Sequence, residues 1–273
     1  MKSTTPTNKD RNAPIGIFDS GMGGLSVWRE VRRLLPEESV VYLADGKNCP
    51  YGERDPKEIA EYTREAVEVL LERGVKLIVV ACNTATAVAI DFLREHYDVP
   101  FVGMEPAVKP AALGTKSGTI GILATRAALS GELFLATSAK YAEKVEIVPI
   151  VGEGFVEAVE SGSEDSPETL ELVRRTLEPV LLKGADHIVL GCTHYPFLEG
   201  AIRRVTEGKG VTIVNPAPAV ARRVEWLLRE ADMLAEQGHR AECTFVTFGD
   251  EEYLERIVRK AAEQEKSEET KKE

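Results

Sequence analysis

The sequence predicts an α/β protein built from two pseudo-symmetric, doubly wound lobes with parallel sheets and an active site in the cleft between them. Three observations support this prediction: short β-branched runs bounded by turn residues, helical patterns between those runs, and the same order of elements in both halves of the chain. The clearest run is residues 184–197, GADHIVLGCTHYPF, in which an apolar segment ends in a thiol, a hydroxyl and an imidazole. Such a run is typical of a strand covered on both faces, as in a parallel sheet.

A matching segment lies upstream at residues 74–85, GVKLIVVACNTA. In both segments a cysteine, Cys82 or Cys192, follows the first glycine by eight residues. In open α/β sheets, ligands bind outside the carboxyl ends of the strands. The polar residues that follow these two strands are therefore candidates for a functional site.

Size and charge narrow the classes of function. The chain has 273 residues, 43% of them hydrophobic, which is enough for two α/β lobes with real cores. Its net charge of −11 argues against nucleic acid or an anionic membrane surface as a partner. Residues 1–13 are polar, and no apolar run approaches the ~18 residues that cross a bilayer, so we expect a cytoplasmic protein whose four cysteines are free thiols.

The first half begins with a strand and a glycine-rich turn. Residues 15–18 form the predicted strand, and residues 19–24, DSGMGG, form the turn before a helix. Such a turn brings backbone N–H groups close to an anion. It is not a dinucleotide fingerprint, because Ser26 stands where the last glycine belongs. A second strand, residues 40–43, leads into a loop at residues 44–52 that is rich in turn residues.

The longest predicted helices of the two halves begin alike. Asp55 is followed by a proline and, three residues on, by Glu58, the pattern of a capped helix start; Gly74 ends that helix. In the second half Ser166 is followed by a proline in the same way. We therefore expect the second half to repeat the first.

The repeat extends over the whole core of the chain. Four pairs of anchors keep one order and a separation of 105 to 112 residues; in chain order they are 15–18 with 120–123, Val40 with Val145, Cys82 with Cys192, and 106–108 with 218–220. We predict a first lobe of residues 14–104 plus 217–262 and a second lobe of residues 105–216. Residues 1–13 are predicted to be a polar tail, and the charged segment 263–273 to be disordered or a frayed helix.

The two halves differ where chemistry is expected. Asp19 and Ser20 correspond to an alanine and a threonine in the second half, and Asn83 and Thr84 correspond to Thr193 and His194. The carboxylate thus belongs to one half and the imidazole to the other.

Two lobes that close on each other would place Cys82 and Cys192 on opposite sides of one cleft. That arrangement can remove a proton from one face of a carbon and return a proton to the other face, which is stereoinversion. A thiol has an unperturbed pKa of ~8.5, so either protonation state is accessible. Each cysteine is expected to begin a helix, whose N-terminal dipole would favour the thiolate.

Other polar residues next to the two cysteines suit the same chemistry. Asp19 and His194 are candidates for general bases that take the sulfur proton or orient the sulfur. Hydroxyl and amide groups nearby could hold an α-carboxylate and an amine; they belong to Ser20, Asn83, Thr84 and Thr193.

Four ordered motifs resemble the glutamate racemases of the aspartate/glutamate racemase superfamily. They are residues 16–25 (GIFDSGMGGL), 50–52 (PYG), 81–85 (ACNTA) and 191–196 (GCTHYP). The likeness extends roughly from residue 15 to residue 228.

The resemblance implies cofactor-independent interconversion of L- and D-glutamate by two bases, which supplies D-glutamate for peptidoglycan, in a protein that forms a homodimer. Cys82 would take the proton from the D-isomer and Cys192 from the L-isomer. Glu160 stands where the family has an acidic partner for the second cysteine. Cys49, beside the PYG motif, is an extra thiol with no assigned role. The residues implied to bind or position the substrate are Asp19, Ser20, Tyr51, Gly52, Asn83, Thr84, Thr193 and His194.

Several alternatives remain open at this stage. A single cysteine after a buried strand is usually a small core residue, although two at matched positions favour catalysis. Asp19 could be a helix N-cap, His194 a structural histidine, Tyr51 a packing residue and Glu160 an exposed helix carboxylate.

Other functions for the whole chain also remain open. They are an aspartate racemase, a non-catalytic amino-acid-binding protein and a thiol hydrolase that uses one sulfur and one imidazole. A metal site of Cys82, Cys192 and His194 lacks close ligand spacing, and pyridoxal phosphate needs a lysine that none of the four motifs holds. We therefore expect neither metal nor cofactor.

Overall fold

The computed structural model describes residues 10–270. The first lobe begins with four strands that alternate with three helices: β1 (Ile15–Asp19), α1 (Leu25–Leu34), β2 (Val40–Ala44), α2 (Pro56–Glu72), β3 (Leu77–Val80), α3 (Asn83–His96) and β4 (Phe101–Gly103). Helix α4 (Val108–Gly114) leads into the second lobe.

The second lobe has the same alternation with more helices. Its elements are β5 (Thr119–Ala124), α5 (Arg126–Ser130), α6 (Glu132–Ala139), β6 (Glu146–Val151), α7 (Phe155–Glu160), α8 (Pro167–Leu182), β7 (His187–Gly191), α9 (Glu199–Thr206) and β8 (Thr212–Val214). The chain then forms α10 (Ala217–Glu230), β9 (Cys243–Thr247) and α11 (Glu251–Thr270).

The two sheets confirm the predicted fold class and its internal symmetry. One sheet has the order β4-β3-β1-β2-β9 and the other β6-β5-β7-β8. Every strand pairing recorded for residues 10–270 is parallel. Without β9, the first order read backwards is β2-β1-β3-β4, which matches the second strand for strand. Strands β4 and β9 lie in the first sheet and β8 in the second, while the residue boundaries of the lobes stay a prediction.

Strand composition explains why the cysteines lie at the sheet edges. All four residues of β3, Leu-Ile-Val-Val, are buried, and so are all five of β1. Such continuous apolar runs are typical of parallel strands covered by helices on both faces. The register pairs Phe18 of β1 with Val80 of β3, and Ala124 of β5 with Gly191 of β7. The residues that follow these strands therefore emerge at the carboxyl edge of each sheet.

The helix boundaries follow the predicted capping signals. The Asp55 side chain accepts a hydrogen bond from the backbone N–H of Lys57, and Glu58 reaches back to the backbone of Asp55, which confirms the capping box. Ser166 accepts from the backbone N–H of Thr169 in the equivalent helix. Gly74, after α2, has a φ of 70°, in the left-handed region that favours glycine.

The end of the chain continues the last helix of the protein. Helix α11 extends to Thr270, which is the helical of the two alternatives predicted for the charged segment; residues 271–273 lie outside the described part. The helix is held by a buried stripe at helical spacing, made by Tyr253, Ile257, Ala261 and Gln264. Of the predicted N-terminal tail, only residues 10–13 are described, where Ala13 N–H donates to the Asp10 carbonyl. Among the described residues, no helix is both long and apolar enough to span a membrane.

Candidate active site

The loops after β1, β3 and β7 bring the predicted residues together in the interior. The side chains of Asp19, Cys82, Cys192 and His194 are all buried, with Asp19 fully shielded from solvent. Polar groups at such depth need partners. The contacts of each therefore show how the site is built.

Cys82 is the N-cap residue of α3, as predicted. Its Sγ accepts from the backbone N–H of Ala85 at 3.5 Å and lies 3.4 Å from the Ser20 hydroxyl oxygen. Burial, followed by the negative charge of Asp19, raises the pKa of Cys82 to about 12, against the smaller lowering effect of these two hydrogen bonds. The helix terminus does favour the thiolate as expected, since the Ala85 hydrogen bond lowers the pKa of Cys82, but desolvation outweighs this effect and keeps Cys82 a thiol at neutral pH.

Cys192 differs from Cys82 in its local structure. It is followed by a turn and a short 3₁₀ helix, Tyr195–Leu198, so the prediction that it begins an α-helix is wrong. Its sulfur instead lies 3.8 Å from Nδ1 of His194. The stabilising group for this thiol is thus an imidazole and not a helix dipole.

His194 forms a buried ion pair with Glu160. Nε2 of His194 lies 2.6 Å from Oε1 of Glu160. Burial lowers the pKa of His194, but hydrogen bonds with Cys192, Cys49 and Glu160 together raise it well above its ordinary value. For the carboxyl group of Glu160, burial acts in the opposite direction and raises the pKa, but the contacts with His194 outweigh burial, so the pKa of Glu160 is lowered. The pair is an imidazolium and a carboxylate, so Glu160 is not a plain exposed helix residue.

Glu160 is held in place by groups from distant parts of the chain. Its Oε1 also accepts from the backbone N–H of Met22 at 2.9 Å, and its Oε2 accepts from the Tyr253 hydroxyl at 2.9 Å. Arg256 donates to its backbone carbonyl. The carboxylate is therefore fixed from the first lobe and from α11 at once.

Asp19 links the two lobes. Its Oδ2 accepts from the Thr193 hydroxyl and its Oδ1 from the backbone N–H of Gly21, both at 2.9 Å. It does not cap α1, whose N-cap residue is Gly24. Burial raises the pKa of Asp19 to about 6, against the lowering effect of the His194 charge. A carboxyl group with that pKa can exchange a proton near neutral pH.

The glycine-rich turn serves close packing at the site. A Cβ on Gly21 would lie 2.2 Å from Oε1 of Glu160, and a Cβ on Gly23 would lie 2.3 Å from Nδ1 of His194. The backbone N–H groups of Gly21 and Met22 donate to protein carboxylates in this structure. The turn thus lets the backbone of the first lobe approach the ion pair of the second.

Gly23→Ala tests this close approach. We expect it to lower the free energy of unfolding by about 1–3 kcal/mol, because the added methyl group must displace the buried imidazole. Urea unfolding followed by circular dichroism measures the change. Gly200→Ala is the matched control, since a Cβ there meets no atom within 4 Å and alanine favours the α9 helix. Equal stability of the two variants would contradict the expectation.

Tyr51 and Gly52 are close to the site without a contact to the thiols. The Tyr51 hydroxyl donates to Asp45 at 2.7 Å, and its ring packs against Phe18 in the core. A Cβ on Gly52 would lie 3.1 Å from Thr125. Tyr51 is thus occupied by its hydrogen bond to Asp45 and its ring packing, in line with the packing alternative. A substrate contact from Tyr51 or Gly52 stays a prediction.

Asn83 and Thr84 follow Cys82 on α3. The Asn83 amide donates to the Met104 carbonyl at 3.1 Å, while its buried Oδ1 has no hydrogen-bond partner in the described part of the chain. The Thr84 hydroxyl lies 3.0 Å from the Thr125 hydroxyl of the second lobe. Thr125 was not predicted as a site residue, although the internal repeat aligns it with Ser20.

Other residues of the site also escaped prediction. Tyr253 and Arg256 act from α11, and Ser26 donates to the Thr193 carbonyl from α1. No motif marks them, because their partners lie 93 to 167 residues away in the sequence.

Two clefts are lined by residues that contact the site or were predicted to belong to it. One, of about 310 Å³, is lined by Met22, Glu160 and basic residues of α11. The other, of about 100 Å³, is lined by Gly52, Thr125 and residues after β6. Cys82 and Cys192 line neither cleft. As for metal ligands, Cys49, Glu160 and His194 bring one ligating atom each to within 4.8 Å of one another.

Comparisons with known proteins agree with this architecture. The family model for Asp/Glu/Hydantoin racemase matches residues 15–224. The chain is 48% identical to the glutamate racemase of Herpetosiphon aurantiacus over 247 residues, which cover 90% of this chain and 97% of that protein.

Solved structures of glutamate racemases are also similar to this structure. The structure is similar to that of Escherichia coli glutamate racemase in complex with L-glutamate and the activator UDP-MurNAc-Ala, with a TM-score of 0.81, 35% identity and coverage of 91% and 95% of the two chains. It is also similar to the glutamate racemase of Francisella tularensis in complex with D-glutamate, with a TM-score of 0.79, 25% identity and coverage of 92% and 94%. On the family match over most of its length and these identities, the chain belongs to the Asp/Glu/Hydantoin racemase family.

Proposed function

We propose that this protein is a glutamate racemase that interconverts L- and D-glutamate without a cofactor, with Cys82 and Cys192 as the two bases. The observation that carries the proposal is the pair of buried thiols at symmetry-equivalent strand ends, each beside a different polar partner. The similarity to glutamate racemases that hold L-glutamate and D-glutamate supports the choice of substrate.

In the L-to-D direction, the Cys192 thiolate removes the proton from Cα. The C–H bond breaks, its electron pair is delocalised into the α-carboxylate, and the Cys82 thiol gives its own proton to the opposite face of Cα. The high pKa of Cys82 keeps its proton in place as the donor. The His194 imidazolium at 3.8 Å stabilises negative charge on the Cys192 sulfur.

The D-to-L direction exchanges these roles. The Cys82 sulfur must first lose its proton, and Asp19 is the base that we assign to this step. Its pKa of about 6 makes it ionised at neutral pH and able to accept a proton, although transfer from a thiol with a pKa of about 12 is uphill as long as the site holds no substrate. In this direction Cys192 starts as a thiol that has taken up a proton from solvent; it delivers that proton to the other face of Cα and becomes the thiolate beside the His194 imidazolium.

Substrate binding is assigned to the polar groups around the thiols. The unpaired Oδ1 of Asn83 is a buried acceptor suited to the α-ammonium group. The hydroxyls of Ser20 and Thr84 can donate to the α-carboxylate, which gains charge when the proton leaves, whereas the Thr193 hydroxyl already donates to Asp19 and can serve the substrate only if it gives up that bond. Because these groups are buried, we infer that the lobes part to admit glutamate and close around it.

The wider roles of the protein follow from the same proposal. We assign the D-glutamate product to peptidoglycan synthesis in the cytoplasm, and we expect a homodimer. Exposed apolar side chains on neighbouring helices support the dimer; they are Phe92 on α3, Leu113 on α4 and Leu135 on α6. Sedimentation velocity tests it, and a monomer at micromolar concentration would contradict it.

Exchange at Cα tests the proposed reaction. Purified protein incubated with L-glutamate in heavy water is expected to place deuterium on Cα and to bring the circular dichroism of the solution to zero. A protein that only binds amino acids places no deuterium on Cα and leaves the circular dichroism of the solution unchanged. L-aspartate in a parallel sample separates the substrate specificities, and faster loss of its signal would favour an aspartate racemase.

Tyr253→Phe tests how the ion pair is held. We expect kcat/KM to fall roughly three- to tenfold, because losing one hydrogen bond to Glu160 costs about 1 kcal/mol and loosens His194. The His194 ring N–H signals in proton NMR should shift, which a purely structural role for Tyr253 does not require. Tyr97→Phe, which removes a surface hydrogen bond to Glu68, is the matched control. Unchanged NMR signals in Tyr253→Phe would refute the positioning role.

A further inference from the structure

Cys49 is a thiol that the proposed reaction does not use, yet it borders the buried ion pair. Its Sγ lies 3.7 Å from Oε1 of Glu160, and the same oxygen lies 2.6 Å from Nε2 of His194. The three groups come from three separate segments: the loop after β2, the end of α7 and the turn after β7. One ligating atom from each lies within 4.8 Å of the others.

We propose that Cys49, Glu160 and His194 form a binding site for a borderline divalent transition metal ion such as Zn²⁺, and that occupation of this site inhibits racemisation. The inhibition rests on the proposed function, whereas the metal site stands on the ligand geometry alone.

The donor set selects this class of metal. A thiolate, an imidazole and a carboxylate are the side chains that bind Zn²⁺ in proteins, and three of them leave a fourth position for water. Mg²⁺ and Ca²⁺ prefer oxygen ligands and are disfavoured by the sulfur and the nitrogen. Tyr253 and Met22 already orient the Glu160 carboxylate so that Oε1 faces both other ligands. Such outer hydrogen bonds are a usual feature of metal-binding carboxylates.

Metal binding at this site is coupled to the release of protons. A thiolate sulfur and a neutral imidazole nitrogen are the forms that bind a metal, so Cys49 and Nε2 of His194 release any proton they carry to solvent when the ion binds. The ion, a thiolate, a neutral imidazole and a carboxylate sum to zero, so the occupied site holds no net charge, which limits the cost of burying the ion.

The ion can reach the site from the side of Glu160. Gly21 packs closely against two of the ligands, since a Cβ there would come within 2.9 Å of the Cys49 sulfur and 2.2 Å of Oε1 of Glu160, so only a residue without a side chain leaves these two atoms uncovered. Glu160 and Met22 also line the cleft of about 310 Å³ that opens to solvent. Metal bonds of about 2.0 Å to nitrogen and oxygen need these two atoms roughly 3.3 Å apart, so the present hydrogen bond between them must lengthen slightly.

Metal binding affects the reaction through His194. With its Nε2 bound to the ion, the imidazole loses its positive charge and its contact with Glu160. It can then no longer stabilise the Cys192 sulfur as an imidazolium. We therefore expect occupation of the site to stop proton transfer at Cys192, while substrate can still bind.

The test uses full-length protein freed of metal by a chelator, as wild type, Cys49→Ala, Cys49→Ser and Cys243→Ala. Cys243 is a half-buried thiol on β9 and serves as the control. Each protein is titrated with Co²⁺ and followed by its thiolate charge-transfer absorption, and with Zn²⁺ and followed by racemisation relative to its own zinc-free rate. Circular dichroism checks that each variant is folded.

We expect one equivalent of Co²⁺ to give the absorption band in wild type and Cys243→Ala, and both Cys49 variants to lose it. The Zn²⁺ concentration for half inhibition should rise at least about tenfold in both Cys49 variants. Equal inhibition of the Cys49 variants would place zinc on the other thiols and overturn the proposal. A wild type without the cobalt band would overturn it as well. The cobalt band needs no turnover, so it tests the site even if the protein proves not to racemise glutamate.

Discussion

Cys82→Ser and Cys192→Ser are each expected to lower kcat/KM for racemisation by about 10²–10⁴-fold in both directions, because each removes one of the two proton-transfer groups. Both directions must fall together, since mirror-image substrates have equal free energies and the equilibrium constant is unity. Polarimetry or circular dichroism with either enantiomer measures the loss. Cys243→Ser, at a half-buried thiol on β9, should keep the wild-type rate.

Isotope exchange then assigns each sulfur to one enantiomer. In Cys192→Ser, Cys82 can still remove and return the Cα proton of D-glutamate, so deuterium should enter D-glutamate without inversion. In Cys82→Ser, only L-glutamate should exchange. Exchange of the opposite enantiomer in either variant would reverse the assignment. A thiol hydrolase that uses Cys192 alone predicts instead that Cys82→Ser remains active.

Asp19→Asn is expected to lower kcat/KM by about 10²-fold or more, because it removes the base assigned to Cys82. In the wild type, the rate should fall as the pH drops through about 6, where the Asp19 carboxylate takes up a proton. The variant should lack this acid limb. An unchanged limb in Asp19→Asn would show that another group controls the low-pH loss.

The same substitution is expected to stabilise the protein at neutral pH. The pKa of Asp19 rises from 3.8 to about 6 on folding, so its stabilising contribution is present below pH 3.8 and is lost as pH rises through about 6. The ionised side chain then costs up to about 3 kcal/mol, at 1.36 kcal/mol for each pKa unit. Asparagine avoids this cost and can still accept from Gly21 and contact Thr193.

Unfolding at two pH values measures this effect. The gain in stability of Asp19→Asn over wild type should be larger at pH 8 than at pH 5, because the wild-type carboxylate is ionised only at the higher value. A gain that is independent of pH would contradict the raised pKa. The Asp19 side chain would then lower the free energy of unfolding for some reason other than the burial of its charge.

The parts of the fold that the sequence predicted are those encoded by short segments. The apolar run of β3 is completely buried, and the capping box at Asp55 begins α2 as expected. The repeat between the halves predicted two similar lobes with parallel sheets, and the two sheets share one order over four strands because similar segments adopt similar topology. Asp19, Cys82, Cys192 and His194 were found as candidates because each lies within a few residues of a strand end.

Predictions that depended on competing energies were less successful. The helix terminus at Cys82 is where it was expected, but burial and the nearby Asp19 decide the protonation of the thiol. Cys192 is followed by a turn and a 3₁₀ helix, so the imidazole of His194 takes the role expected of a dipole. The segment after residue 262 is helical as far as the described residues reach, because it continues helix α11, whose buried stripe of Tyr253, Ile257 and Ala261 lies before it.

The sequence by itself determined the α/β architecture, its duplication and the residues that follow the two cysteine strands, since these depend on local periodicity and on turn and capping residues. Only the tertiary structure decided that Glu160 pairs with His194, that Tyr253 holds Glu160 from α11, and that Thr125 faces Thr84. Those contacts join residues 34 to 93 positions apart. Their partners and their charges are set by which surfaces the packed lobes bury together, a property that no short segment encodes.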